Sequence, residues 1–183
     1  MNKLYYSSVQ SSACNVGLVW VEKEKSVKIV RIFLAENKDD VLKQIKRFFS
    51  RAKQEKDRVI NFIVKKIKDY LDGEIVHYGE RYLDNTLCSR FQWKLLRRVR
   101  QIPYGKVITY KGLARLTDTK SARTIGNALA KNPFPIIIPC HRVVNSNGTI
   151  GGFQSGKRLK RHLLKLEGIT FDKKGKIPKE YFV

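Results

Sequence analysis

The 183-residue chain has no run of about 18 consecutive apolar residues, which excludes an ordinary membrane-spanning helix. Its first residues, Met1-Asn2-Lys3-Leu4-Tyr5-Tyr6, lack the apolar stretch of a secretory leader, so a cytoplasmic protein is expected. Cysteine is scarce. Cys14, Cys88 and Cys140 are odd in number, widely spaced and form no CxxC pair. That argues against a disulfide framework, a zinc knuckle and a thioredoxin-like site. A lone cysteine is by default a small buried hydrophobe, the reading adopted for Cys14 and Cys88. Internal repeats and low-complexity segments are also absent.

Acidic residues are the other shortage, and they are missing mainly from one half. Residues 1–84 carry 17 Lys+Arg and 12 Asp+Glu, a net of +5, whereas residues 85–183 carry 21 and 4, a net of +17. Self-repulsion on that scale implies a polyanionic partner, nucleic acid first and an anionic membrane surface second. A generally basic proteome would explain the mixed first half but not the second.

The patterning predicts an α+β protein. Residues 3–9, 16–21 and 27–34 read as an antiparallel meander, with a polar turn from Glu22 to Ser26. Asp39-Asp40 open a helix with Val41, Leu42, Ile45, Phe48, Phe49 and Ala52 on one side. A second follows with Val59, Phe62, Ile63, Ile67, Tyr70 and Leu71, ended by Asp72-Gly73. Residues 74–87 are irregular. The expected division is a sheet-and-helix domain over 1–84, a mostly helical domain over 85–170 and a basic C-terminal tail over 171–183.

The second half opens on a capping box, Ser89 with Gln92 reaching back to it. Phe91, Leu95 and Val99 form the helix face, and Ile102-Pro103-Tyr104-Gly105 stops the helix. After an extended Val107-Ile108-Thr109, helices over Tyr110–Leu116 and Ser121–Lys131 flank the turn Thr117-Asp118-Thr119. This is the helix-turn-helix pattern, which many helical hairpins share. On the second helix Ser121, Ala122, Gly126 and Ala128 are small, and Arg123 is the long side chain near the start. Such a surface suits close helix packing or a helix laid in a DNA groove.

Two prolines in Asn132-Pro133-Phe134-Pro135 stiffen the approach to Ile136-Ile137-Ile138-Pro139-Cys140-His141-Arg142-Val143-Val144. The isoleucines read as buried strand or core. A thiol beside positive charge has a lowered pKa, and the thiolate is the nucleophile. In extended chain Cys140 and His141 point apart, so His141 acts through water or after a turn. Glu167 ends a helix built on Leu159, Leu163 and Leu166. The helix dipole disfavours a carboxylate there, which suggests a specific partner, and His141 is the choice. A cysteine hydrolase and a structural buried cysteine both remain open on spacing alone.

The segment Pro139-Cys140-His141-Arg142-Val143-Val144 resembles the active-site signature of the O6-alkylguanine-DNA alkyltransferases. The likeness extends over about 88–170. It includes Gln101 to Tyr110, Ala122-Arg123, Asn132-Pro133, Gly151-Gly152-Phe153 and Leu163 to Gly168. The resemblance implies one irreversible alkyl transfer from guanine O6 in double-stranded DNA to Cys140, by a monomer without cofactor or metal, at a nucleotide flipped from the minor groove. It implies activation of Cys140 by His141 through water, with Glu167 holding His141. Arg123 would fill the gap in the stack, and Ser121, Ala122 and Gly126 would lie in the groove. Tyr110 would rotate the phosphate and donate to the base, and Asn132 would be the hinge. Leu129, Val143, Phe153 and Gln154 would form the base pocket. Phe153 stands where many members have tyrosine, and Gln154 and Ser155 replace smaller residues. A non-catalytic alkyl-DNA binder and a helix-turn-helix transcription regulator are the alternatives.

Overall fold

The computed structural model describes residues 3–23, 26–117, 119 and 121–183. The expected turns at Glu22 to Ser26 and at Thr117 to Thr119 fall partly on residues outside that set. The chain is α+β and divides into two compact units, Met1–Leu87 and Cys88–Val183.

In the first unit β1 (Leu4–Gln10), β2 (Asn15–Lys23) and β3 (Ser26–Ala35) form the meander, with Leu4 opposite Val21 and Val16 opposite Leu34. A two-residue strand β4 (Lys53–Gln54), not legible in the sequence, pairs parallel to β1 and makes the sheet mixed, in the order β3-β2-β1-β4. Helix α1 (Lys38–Phe48) buries Val41 and Ile45 against Val19, Val21 and Phe33. Its cap is Asn37, and Asp39 and Asp40 sit in the first turn, where the dipole favours them. Helix α2 (Arg58–Leu71) is capped by Asp57 and buries Ile60, Ile63 and Ile67.

Two aromatic residues depart from the expected faces: Phe48 is 57% exposed and Phe62 51%. Phe48 stacks on Phe33 at 5.9 Å under the guanidiniums of Arg31 and Arg47, and Lys66 covers Phe62 at 5.0 Å. Cation–π cover takes the place of burial at both rings.

Gly17 shares a strand face with Val19 and Val21. A Cβ there would lie 2.6 Å from Val41 Cγ1 and 2.8 Å from Ile45 Cδ1. Val41 is fully buried and β-branched, so it cannot rotate away cheaply. Gly17→Ala is expected to cost about 1–2 kcal/mol through overpacking, read as a lower urea midpoint with unchanged slope.

The second unit begins with α3 (Arg90–Arg100), whose cap Ser89 accepts from Gln92 N–H. The Gln92 amide does not reach back to Ser89. It donates to Ala128 O and Lys131 O, tying α3 to the end of the helix that closes at Ala130, where carbonyls lack helical partners. The strand β5 (Ile108–Thr109) leads into α4 (Tyr110–Arg115), capped by Thr109, and then α5 (Ala122–Ala130), capped by Ser121.

The isoleucine run is core but not strand. Residues 133–138 turn instead, and Ile136 sits at φ 72°, a strained conformation for a β-branched residue. The partner of β5 is β6 (Val143–Val144), paired in parallel. Helix α6 (Lys157–Leu166) buries Leu159, Lys160, Leu163 and Leu164. Residues 171–183, expected as a tail, fold back onto this unit. Ile177 is buried, Phe171, Tyr181 and Phe182 pack on its core, and Val107 exchanges backbone hydrogen bonds with Tyr181 and Val183. The apolar residues at 171, 177 and 182 explain the docking: lysine count masked a packing face.

Candidate active site

Cys140 opens a 3₁₀ turn, Cys140–Arg142, and is almost fully buried. The tight turn is set by Arg142 N–H donating to Pro139 O, and it removes the alternation expected of extended chain. The thiol has a specific neighbour. Asn132 Nδ2–H reaches Cys140 Sγ at 3.2 Å and Ile138 O at 3.1 Å, while its Oδ1 accepts from Phe134 N–H at 3.0 Å. One fully buried amide therefore satisfies the turn and aims a donor at the sulfur.

His141 is completely buried, with Nε2 2.8 Å from Glu167 Oε1. Glu167 caps the C-terminus of α6. Arg142 binds its carboxylate through Nε, 2.8 Å from Oε2, and Nη2, 2.8 Å from Oε1, and Gly105 N–H adds a bond to Oε2 at 3.2 Å. Against the opposing effect of burial, His141 and Arg142 hold the Glu167 carboxyl down to about 2. The ionised carboxylate only accepts, so His141 Nε2 carries the proton and Nδ1 is the acceptor nitrogen of the neutral ring. Burial, outweighing Glu167, lowers His141 and keeps it neutral.

The turn directs the Arg142 guanidinium to Glu167. Its Nη1 also donates to Ile102 O at 2.6 Å, and the group lies over Tyr104 at 5.8 Å. Ile102-Pro103-Tyr104-Gly105 is thus more than a helix stop. Tyr104 Oη donates to Leu166 O at 2.9 Å, and Gly105, at φ 71°, lets the backbone approach the end of α6.

The positive charge facing Cys140 comes from Lys160, which sequence reading missed. Lys160 is fully buried, and its Nζ donates to Val143 O at 2.6 Å and Gly152 O at 3.0 Å. Burial pushes it down to about 8. Burial likewise pushes the Cys140 thiol up; the Asn132 donor and the Lys160 charge pull it back. A signal existed: Lys160 falls three residues before Leu163 and four before Leu164, on the apolar side of α6.

Cys140 opens into a pocket of about 560 Å³ whose wall includes Tyr110, Ala122, Arg123, Gly126, Leu129 and Gly152. Phe153 and Gln154 line it, as do Lys111, Asn145 and Ser146, which the sequence did not single out. Tyr110 Oη contacts Gly152 O at 3.4 Å, and burial together with the Cys140 charge raises its phenol, keeping it a donor. Arg123 is exposed near the start of α5. Ser121 and Val143 stand outside the lining: Ser121 accepts from Thr124 N–H as the cap, and Val143 offers the carbonyl held by Lys160.

Fold and site together define a helix-turn-helix protein with a buried, polar-supported cysteine at the base of a pocket beside its second helix. Residues 90–169 match the family described as 6-O-methylguanine DNA methyltransferase, DNA binding domain. The methylated-DNA–protein-cysteine methyltransferase of Methanothermobacter thermautotrophicus is 39% identical over 113 residues, 62% of this chain and 64% of that protein. The chain thus spans just under two thirds of that relative's length. The O6-methylguanine-DNA methyltransferase of Pyrococcus kodakaraensis superposes with a TM-score of 0.72 at 27% identity, covering 91% of this chain and 99% of that one. The Mycobacterium tuberculosis OGT in complex with DNA gives 0.68 at 25% identity, over 90% and 93%. Over residues 90–169 the chain thus carries a DNA-binding domain of the 6-O-methylguanine DNA methyltransferase type, and over most of its length it has the fold of the Pyrococcus protein.

Proposed function

We propose that this protein repairs DNA by taking the alkyl group of O6-alkylguanine onto Cys140, once per molecule. One observation carries the reading: Cys140 and the exposed Arg123 end of α5 line the same pocket. The damaged base is stacked inside a duplex, so it must be flipped before a protein thiol can reach it. Arg123 occupies the gap, and the small residues Ala122 and Gly126 let α5 lie close in the minor groove. The Mycobacterium relative solved with DNA supports a duplex partner.

In the reaction, His141 Nδ1 accepts the thiol proton through a water. The thiolate attacks the alkyl carbon, a carbon–sulfur bond forms and the carbon–O6 bond breaks. The purine leaves with that electron pair, steadied by the Tyr110 hydroxyl, and is protonated to guanine. The resulting thioether has no easy leaving group, so turnover stops at one. The monomer acts inside the cell with DNA and needs no cofactor.

Duplex DNA carrying labelled O6-methylguanine tests this directly. Label should rise to one equivalent per protein and map to Cys140. Absence of transfer, or continued turnover, overturns the reading. Arg123→Ala should lower transfer from duplex about 100-fold, matching the few kcal/mol of base flipping, with a far smaller change on the free base O6-benzylguanine. Single-turnover rates on the two substrates check it.

A further inference from the structure

The charge excess of the second half is not concentrated on the recognition helix. Helix α5 carries one cation, Arg123, whereas α6 carries Lys157, Arg158, Lys160, Arg161 and Lys165 and no carboxylate. Two of these stand at its N-terminus against the dipole, and several repel one another at four-residue spacing. Lys160 is turned inward, to the carbonyls of Val143 and Gly152. Lys157, Arg161 and Lys165, four residues apart, run in a row from the flank beside Leu164 round to the side away from Leu159 and Leu163, with Lys157 and Lys165 exposed and Arg161 half-buried.

The C-terminal segment extends this stripe and is built to hold still. Arg161 lies 4.2 Å over the Phe171 ring, and its Nη2 donates to Gly175 O at 3.4 Å. Asp172, the sole carboxylate between Glu167 and Glu180, is spent on its own turn. Its Oδ1 accepts from Lys174 N–H at 2.9 Å and Lys176 N–H at 2.8 Å. Lys173 and Lys174 are left exposed beside α6.

We propose that this surface, Lys157, Arg161 and Lys165 with Lys173 and Lys174, binds the phosphate backbone of a second DNA segment while the pocket engages the first. The inference rests on the repair reading above. The cations of α6 repeat every four residues, about 6 Å along the axis, on a fixed scaffold that suits a row of phosphates. A membrane surface fits poorly, because interfacial helices insert an apolar face and the apolar face of α6 is already in the core. A duplex seated on α5 approaches the pocket, whose wall Lys160 braces from the inner side of α6; Lys165 lies about 140° round the helix from Lys160, so it and the neighbouring C-terminal lysines are placed for a separate segment.

Bridging can be measured with the full chain, an immobilised undamaged duplex and a fluorescent second duplex. The native protein should capture the second duplex at low salt. Lys165→Gln with Lys173→Gln and Lys174→Gln should reduce capture at least about 10-fold and make the salt dependence of that step shallower by about 2–3 in log–log slope. Alkyl transfer from O6-benzylguanine should be unchanged, which also certifies folding. Equal capture by the triple variant overturns the proposal. So does loss of binding to phosphatidylserine vesicles with duplex capture intact. Capture does not require alkyl transfer, so failure of the repair reading would appear separately, as missing label on Cys140.

Discussion

Replacing Glu167 with glutamine is expected to lower alkyl transfer by about 100-fold or more, the scale at which a positioned general base contributes. The isosteric amide keeps the shape but can donate to His141 Nε2, which favours the tautomer with its proton on Nδ1. That ring can no longer accept the thiol proton. Glutamine also leaves the Arg142 guanidinium without its bidentate counter-charge in a site where Glu167 is fully buried at the side chain and Arg142 is 12% exposed. Removing one partner of such a pair costs about 3–5 kcal/mol, a large share of a domain's stability. Single-turnover rates and urea midpoints measure the two effects separately.

The same residue sets an acid limb. The Glu167 carboxyl lies near 2 in the fold against 4.5 ordinarily. Its folded value is depressed, so its contribution is complete above about pH 4.5 and is lost as pH falls towards 2. The stability gap between the native protein and Glu167→Gln should therefore narrow steadily from pH 5 to pH 2. A gap that stays constant across that window would mean that the carboxylate charge is not what holds Arg142 and His141.

Local chemistry was legible where one residue decides the outcome. Ser89 and Ser121 announce their helices because a hydroxyl at an N-cap has one job. Glu167 stood out because a carboxylate is out of place at a helix end, and the structure shows three residues sharing it. What could not be read depends on the turn at Cys140. Arg142 follows Cys140 closely in sequence, and a single 3₁₀ turn sends it to Glu167. The Ile136 to Ile138 run read as buried strand or core, and composition cannot separate the two: it is core, folded into a turn by the flanking prolines and the left-handed Ile136. Lys160 was hidden by company: four other cations share its helix, and only its register with Leu163 and Leu164 separates it from the solvated stripe.

Lys160 therefore carries the second large prediction. Burying an ammonium is unfavourable, and two carbonyls are what make it tolerable here. A lysine held near 8 is still mostly charged at pH 7, and that charge faces a thiol which burial alone would keep protonated. Lys160→Met should lower the reactivity of Cys140 towards iodoacetamide at pH 7 about 10-fold or more, since each unit of thiol pKa is a factor of ten in thiolate. The decisive readout is the pH profile. Loss of charge moves its midpoint upward and lets reactivity recover at high pH. Loss of a strut between Val143 and Gly152 lowers the rate at every pH and leaves the midpoint in place. Lys160→Gln separates the two further, because it can still donate to a carbonyl but brings no charge: it should behave like methionine in the midpoint and like lysine in thermal stability. If the glutamine variant keeps the native midpoint, the thiolate owes its reactivity to Asn132 and His141, and Lys160 serves the pocket wall alone.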